Sequence, residues 1–225
     1  MPVPAIEEGA AFPPPSSNAQ FGSALAIDDD LLIVGAYNDE TTDMPLPGGE
    51  VNNRGAGSAY IYERTEAGWR QATRLVGDPP IAGEGFGFSV AIKKAPDGGQ
   101  NLALVGAPYH GPAIFGPAPT ADNPYRGAVY LFEQQHDGTW AQLARLTAPA
   151  GGPQALADLY GYALAFRGRN EIIVSAIGYG PVLRFQAPSA VYQYNISRSA
   201  CLGVDGAGAC LCTDEASPGE CNGLP

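Results

Sequence analysis

The sequence predicts an all-β fold of β-propeller blades: three four-stranded antiparallel repeats making a partial or incomplete propeller, followed by a Cys-rich tail. Three observations predict it: a turn-rich composition, three ordered copies of the same short motifs, and cysteines confined to one end. With 30 Gly and 21 Pro in 225 residues and only 16% charged, the chain interrupts helices and favours short strands joined by turns. That length is enough to bury one sizeable core.

An aromatic-Gly pair running into apolar residues opens each copy: Phe21-Gly-Ser-Ala-Leu-Ala-Ile27, Phe86-Gly-Phe-Ser-Val-Ala-Ile92 and Tyr160-Gly-Tyr-Ala-Leu-Ala-Phe166. A β-rich run ended by small residues follows, as Leu32-Ile-Val-Gly-Ala-Tyr37, Ala103-Leu-Val-Gly-Ala-Pro108 and Ile172-Ile-Val-Ser-Ala-Ile177. The third run is Gly57-Ser-Ala-Tyr-Ile-Tyr62, Gly127-Ala-Val-Tyr-Leu-Phe132 and Ser189-Ala-Val-Tyr-Gln-Tyr194, with the two-residue period of a strand. A fourth run, containing Trp69 or Trp140, follows the first two copies and is not legible after the third. Matched positions lie 62 to 74 residues apart, room for one up-and-down sheet per copy. The chain therefore divides into a Pro-rich segment 1–20, repeats over 21–196 with blades at about 21–76, 86–147 and 160–196, and a Cys-rich tail 197–225.

The quoted residues resemble the FG-GAP repeat of integrin α-subunit β-propellers and of many extracellular proteins. Propellers usually close with about four to eight blades. Three copies therefore imply a chain that needs further blades, or another chain, to complete a ring. A terminal segment often closes such rings, yet the proline run at 13–15 cannot lie inside a ladder. Blades of this family often carry a calcium loop, which needs six to eight oxygen ligands. The corresponding segments here are Asp28-Asp-Asp30, residues 93–101 with two lysines, and the basic Arg167-Gly-Arg-Asn-Glu171, so no calcium site, metal or cofactor is carried over. The acidic triplet reads as a solvated hairpin turn.

A net charge of −11, with Lys93 and Lys94 the only lysines, excludes the basic face that nucleic acid requires and disfavours an anionic membrane. No apolar stretch approaches the roughly 18 residues of a membrane span. The first 17 residues lack the basic start and apolar run of a signal peptide. Only His110 and His136 are present, neither in a ligand spacing, and no nucleophile elbow or phosphate-cradling loop occurs, so no enzyme activity is expected. Gly83-Glu-Gly-Phe-Gly87 is glycine-rich but opens a strand.

The tail holds Cys201, Cys210, Cys212 and Cys221. Zinc sites favour Cys pairs two to four residues apart, so two disulfides, and an oxidising compartment, are the expectation over zinc. Asn195-Ile-Ser197 matches the N-glycosylation acceptor.

Long connections between the second and third strands of each copy share one place in the repeat, and loops on a rigid scaffold are the usual seat of recognition. Their aromatic and acidic residues give the candidate binding set Tyr37, Asp39, Tyr109, His110, Tyr125 and Tyr179. The expected function is a non-catalytic extracellular or cell-surface recognition and adhesion module that binds protein or glycan through these loops. The alternative is a structural or accessory propeller domain of a larger secreted protein such as a hydrolase.

Overall fold

The structure is a computed structural model, and it describes residues 12, 18–39, 56–81, 83–96, 99–111, 125–149, 157–178, 189–196, 201–204 and 210–212. In the first repeat, strands β1 (Phe21–Asp28), β2 (Leu31–Ala36), β3 (Ser58–Thr65) and β4 (Gly68–Leu75) pair in chain order as one antiparallel sheet. The second repeat has β5 (Ser89–Lys93), β6 (Leu102–Ala107), β7 (Tyr125–Gln134) and β8 (Trp140–Thr147), again paired in chain order. The third has β9 (Ala157–Arg167), β10 (Glu171–Ala176) and β11 (Ala190–Asn195).

Three separate four-stranded blades are not what forms. The described residues form one four-stranded sheet, one seven-stranded mixed sheet ordered β11-β10-β9-β7-β6-β5 with β8 on β7, and a two-stranded sheet in the tail, with no closed barrel among them. The physical reason is strand length. β7 begins two residues ahead of Gly127 and β9 three residues ahead of Tyr160, and these extensions pair in parallel, Tyr125 with Ala157 and Gly127 with Tyr160. At the junction of the first two repeats the equivalent contact shrinks to a single parallel bridge, Gly57 with Phe86, so those sheets stay apart.

The tail also departs from expectation. Strands β12 (Cys201–Val204) and β13 (Cys210–Cys212) form an antiparallel pair that sets Cys201 opposite Cys212 and Val204 opposite Cys210. No disulfide occurs among the described residues, so the disulfide expectation goes no further; Cys221 lies outside them.

Residues paired across a sheet share a face, and the alternation of each strand therefore gives every repeat two faces. One face of the first repeat (Leu31, Ile33, Ala59, Ile61) and the facing side of the second (Val90, Ile92, Tyr130, Phe132) bury each other in one apolar cluster. The other side of the second repeat (Leu102, Leu104, Val129, Leu131) meets Leu164, Phe166, Ile172 and Val174 of the third. Sandwiched this way, β6 is buried along its whole length. Its unbroken apolar run, Leu-Ala-Leu-Val-Gly-Ala, is the pattern of a strand covered on both faces.

Candidate functional site

In the second and third repeats the aromatic of the opening pair enters the core, and its glycine lets the preceding repeat approach; in the first, Phe21 is half-buried and Gly22 faces open space. Phe86 and Tyr160 are fully buried. A Cβ on Gly87, whose φ is +92°, would overlap the Ser58 carbonyl oxygen, and one on Gly161, φ +89°, would strike that of Ala128. On the facing side, a Cβ on Gly35 or Gly106 would overlap the carbonyl oxygen of Gly87 or Gly161. The repeats are thus held at backbone-to-backbone distance, with the Ser89 hydroxyl donating to the Gly161 carbonyl at 2.6 Å.

This close stacking brings the ends of the inner strands together, and the residue after each glycine gains neighbours from other repeats. Phe88 packs against Tyr37 (ring centroids 5.6 Å), Tyr109 (5.7 Å) and Tyr162 (5.0 Å). The four rings make a shelf spanning all three repeats, at the end of the sheets where the long β2–β3 and β6–β7 connections leave. Tyr162 is 38% exposed and the other three are half-buried. Burial first, then the neighbouring Tyr162 and Tyr37, pushes the Tyr109 hydroxyl above its ordinary pKa.

Behind the shelf lie two buried polar clusters at equivalent repeat positions. In the first repeat Asp39, 3% exposed, accepts from the Tyr60 hydroxyl (2.6 Å) and from Arg74 Nη2 (2.8 Å), while Arg74 Nε donates to Ser58 Oγ (2.9 Å). Burial and the Asp39 hydrogen bond push the Tyr60 pKa well up. In the second repeat His110 stands where Asp39 stands in the first: the carbonyl of Asp39 accepts from the Gly57 amide, and that of His110 from the Gly127 amide. The carboxylate comes instead from Glu84, in the connection between the repeats, which is 1% exposed. Glu84 Oε2 accepts from the Tyr130 hydroxyl (2.8 Å) and lies 2.7 Å from His110 Nδ1. Tyr130 pairs across the ladder with Arg145 as Tyr60 does with Arg74, and its pKa is likewise raised, by burial and then by Glu84. These clusters tie the start of each long connection to the sheet beneath it.

Of the six candidate binding residues, the structure brings Tyr37 and Tyr109 together through Phe88 and places Asp39 and His110 in the buried clusters. Tyr125 falls in the β7 extension, and Tyr179 lies outside the described residues. Asn195 ends β11, exposed and opposite Glu171. Phe88, Tyr162 and Glu84 were missed by sequence reasoning. Superposing the three copies exposes the first two, since Phe88 and Tyr162 occupy the same position. Glu84, inside a glycine run, had no such signal.

At the opposite end of the sheets the acidic triplet does not fit a calcium loop, because lysines of the next repeat engage it. Asp28 pairs with Lys93 (2.8 Å), and Lys94 reaches Asp29 (3.0 Å) and Asp30 (2.5 Å). Two ammonium groups thus sit among the three carboxylates, and the solvated hairpin turn is also a cross-repeat clasp. Among the described residues, no group of three or more His, Cys, Asp or Glu side chains could hold a metal ion. No helix among them is long and apolar enough to cross a membrane.

Glycines at the junctions, buried aromatics and chain-ordered sheets define a class, the all-β repeat proteins whose units stack face to face. Residues 15–62, which cover β1, β2 and the first five residues of β3, match the model of the FG-GAP repeat family, and the chain carries an FG-GAP repeat there. No curated protein matches the chain.

Proposed function

We propose that this chain is a non-catalytic extracellular or cell-surface recognition module that binds a protein or glycan through the loop-bearing end of its sheets. The observation that carries the reading is the shelf of Tyr37, Phe88, Tyr109 and Tyr162. It is assembled from all three repeats, held by buried polar clusters, and open to solvent at Tyr162. Tyrosine rings supply large, rigid contact area with a polar tip and stack on apolar protein side chains or on sugar faces. A site that depends on three stacked repeats also gives the close glycine packing a purpose, since small shifts between repeats would split the shelf.

The test is binding of the folded chain to arrays of glycans and of purified secreted and surface proteins, repeated with Tyr162→Ala and Tyr109→Ala. Loss of an anchor of this kind weakens binding about tenfold or more. The reading fails if every ligand that binds the parent binds both variants equally.

A further inference from the structure

Each internal junction uses the same two sets of positions. The incoming repeat offers large apolar residues from its first strand, Val90 and Ile92 at the first junction and Leu164 and Phe166 at the second. The receiving repeat offers Ala26, Ile33 and Ala59 at the first junction and Ala91, Leu104 and Val129 at the second. Among the described residues, one set is left over at either end of the array. In the first repeat, Leu25 and Ile27 stand where Val90 and Ile92 stand in the second. They are 65% and 63% exposed, against 8% and 6% for their counterparts. In the third repeat the receiving positions are Ala165, Ile173 and Val191, of which Ala165 is exposed and Val191 is 71% exposed.

Charge makes the two leftover faces complementary. The turn of one repeat clasps the turn of the next in both junctions, through Asp28 to Asp30 with Lys93 and Lys94, and through the Gln100 carbonyl with Arg169. The third repeat's turn carries Arg167, paired with Glu171 at 3.0 Å yet 75% exposed, and the first repeat's carries Asp29, paired with Lys94 at 3.0 Å yet 74% exposed. A first repeat seated on a third repeat would bring acid against base at that same place.

We infer that this open face of the first repeat docks on the open face of the third repeat of a second copy of the chain, repeating the internal junction between molecules. Phe12 and Phe21 already cover the β3 side of the first repeat's face, over Tyr60 and Tyr62 in the same ladder rows as Leu25 and Ile27, with Phe12 and Tyr62 at 4.7 Å, so what stays open for docking is the β1 edge at Leu25 and Ile27. Glu171 and Gln193 stand at receiving positions that are leucine in the second repeat, so the third repeat's face is less apolar than the internal ones. The association is therefore reversible and concentration-dependent. It is also heterologous, because two different faces meet, and this sets it apart from a two-fold dimer.

The experiment is sedimentation velocity of the parent chain over a concentration series, alongside a docking variant, Leu25→Asp with Ile27→Asp, and a receiving variant, Val191→Asp. All three substitutions fall on exposed positions, and circular dichroism checks that each variant keeps its β signal. The parent associates as concentration rises, each variant alone weakens association about tenfold or more, and an equimolar mixture of the two restores a one-to-one complex through the intact pair of faces. The inference is overturned if the parent stays monomeric to its solubility limit, if either variant associates like the parent, or if the mixture forms no complex.

Discussion

At the two junctions the glycine after the opening aromatic, Gly87 or Gly161, has two separate reasons to be glycine, and they can be told apart by substitution. Gly87 has φ +92° and no room for a Cβ, which would overlap the Ser58 carbonyl oxygen and lie 3.1 Å from the Ala36 amide nitrogen. Gly138, in the β7–β8 turn, has φ +86° but nothing within 4 Å of that position. Alanine at residue 138 meets only the backbone penalty of the left-handed region, about 1–2 kcal/mol. Alanine at residue 87 meets the same penalty and also pushes two repeats apart, so Gly87→Ala loses at least about 2 kcal/mol more, with apolar packing at the junction given up. Urea unfolding of the two variants measures the difference. Equal losses would mean that the close approach at Gly87 contributes nothing.

Between elements, the clasp of the β1–β2 turn by Lys93 and Lys94 is the contact most open to solution conditions. Burial alone would raise the Asp28 pKa, but the Lys93 ammonium and the Lys94 amide outweigh it and hold the carboxyl below its ordinary 3.8. A depressed acid contributes stability that is fully present above 3.8 and is lost as pH falls through the folded value. Lys94 is the mirror case: Asp30 and Asp29 raise it above 10.5, so its contribution is present below that pH and lost as pH climbs through the raised value. Both groups are largely solvated, so the clasp is worth at most about 1 kcal/mol and less in high salt. Asp28→Asn should therefore flatten the decline of the thermal midpoint below pH 4 and remove part of its salt dependence. An unchanged acid profile would show that Asp28 titrates alike in folded and unfolded chains.

This contact also marks how far the sequence could be read. The first three strands of every repeat were legible because their motifs recur in order, and the fourth strands because Trp69 and Trp140 follow at matching places. The partner of Asp28 was not, since Lys93 lies 65 residues away and only the stacking of repeats joins them. The β7–β9 ladder escaped for a related reason. It rests on the few residues ahead of Gly127 and Tyr160, which carry no alternation of their own and pair only once both strands are in place. Of the shelf, Tyr37 and Tyr109 were legible as aromatics at the roots of loops, while Phe88 and Tyr162 read simply as strand residues.

For the whole molecule, stacking makes stability a sum of repeats and junctions, and the repeats are not equal in it. The second repeat is covered on both faces, with all six residues of β6 buried, while β10 alternates buried and half-buried positions and β1 has no fully buried residue. The third repeat has three strands among the described residues, and its outer face is open at Val191. Opening it breaks one junction, whereas opening the second repeat breaks two. Native-state hydrogen exchange should therefore show the amides of β10 and β11 exchanging by local opening at lower free energy, and those of β6 and β7 only with global unfolding. Leu104→Ala, at a fully buried site in the junction of the second and third repeats, should cost about 2–5 kcal/mol. Because Leu104 lies in that junction, the loss should accelerate exchange in β10 and β11 before it reaches β2 and β3. Uniform protection across all three repeats, or acceleration spread evenly by Leu104→Ala, would show that the chain unfolds as one unit.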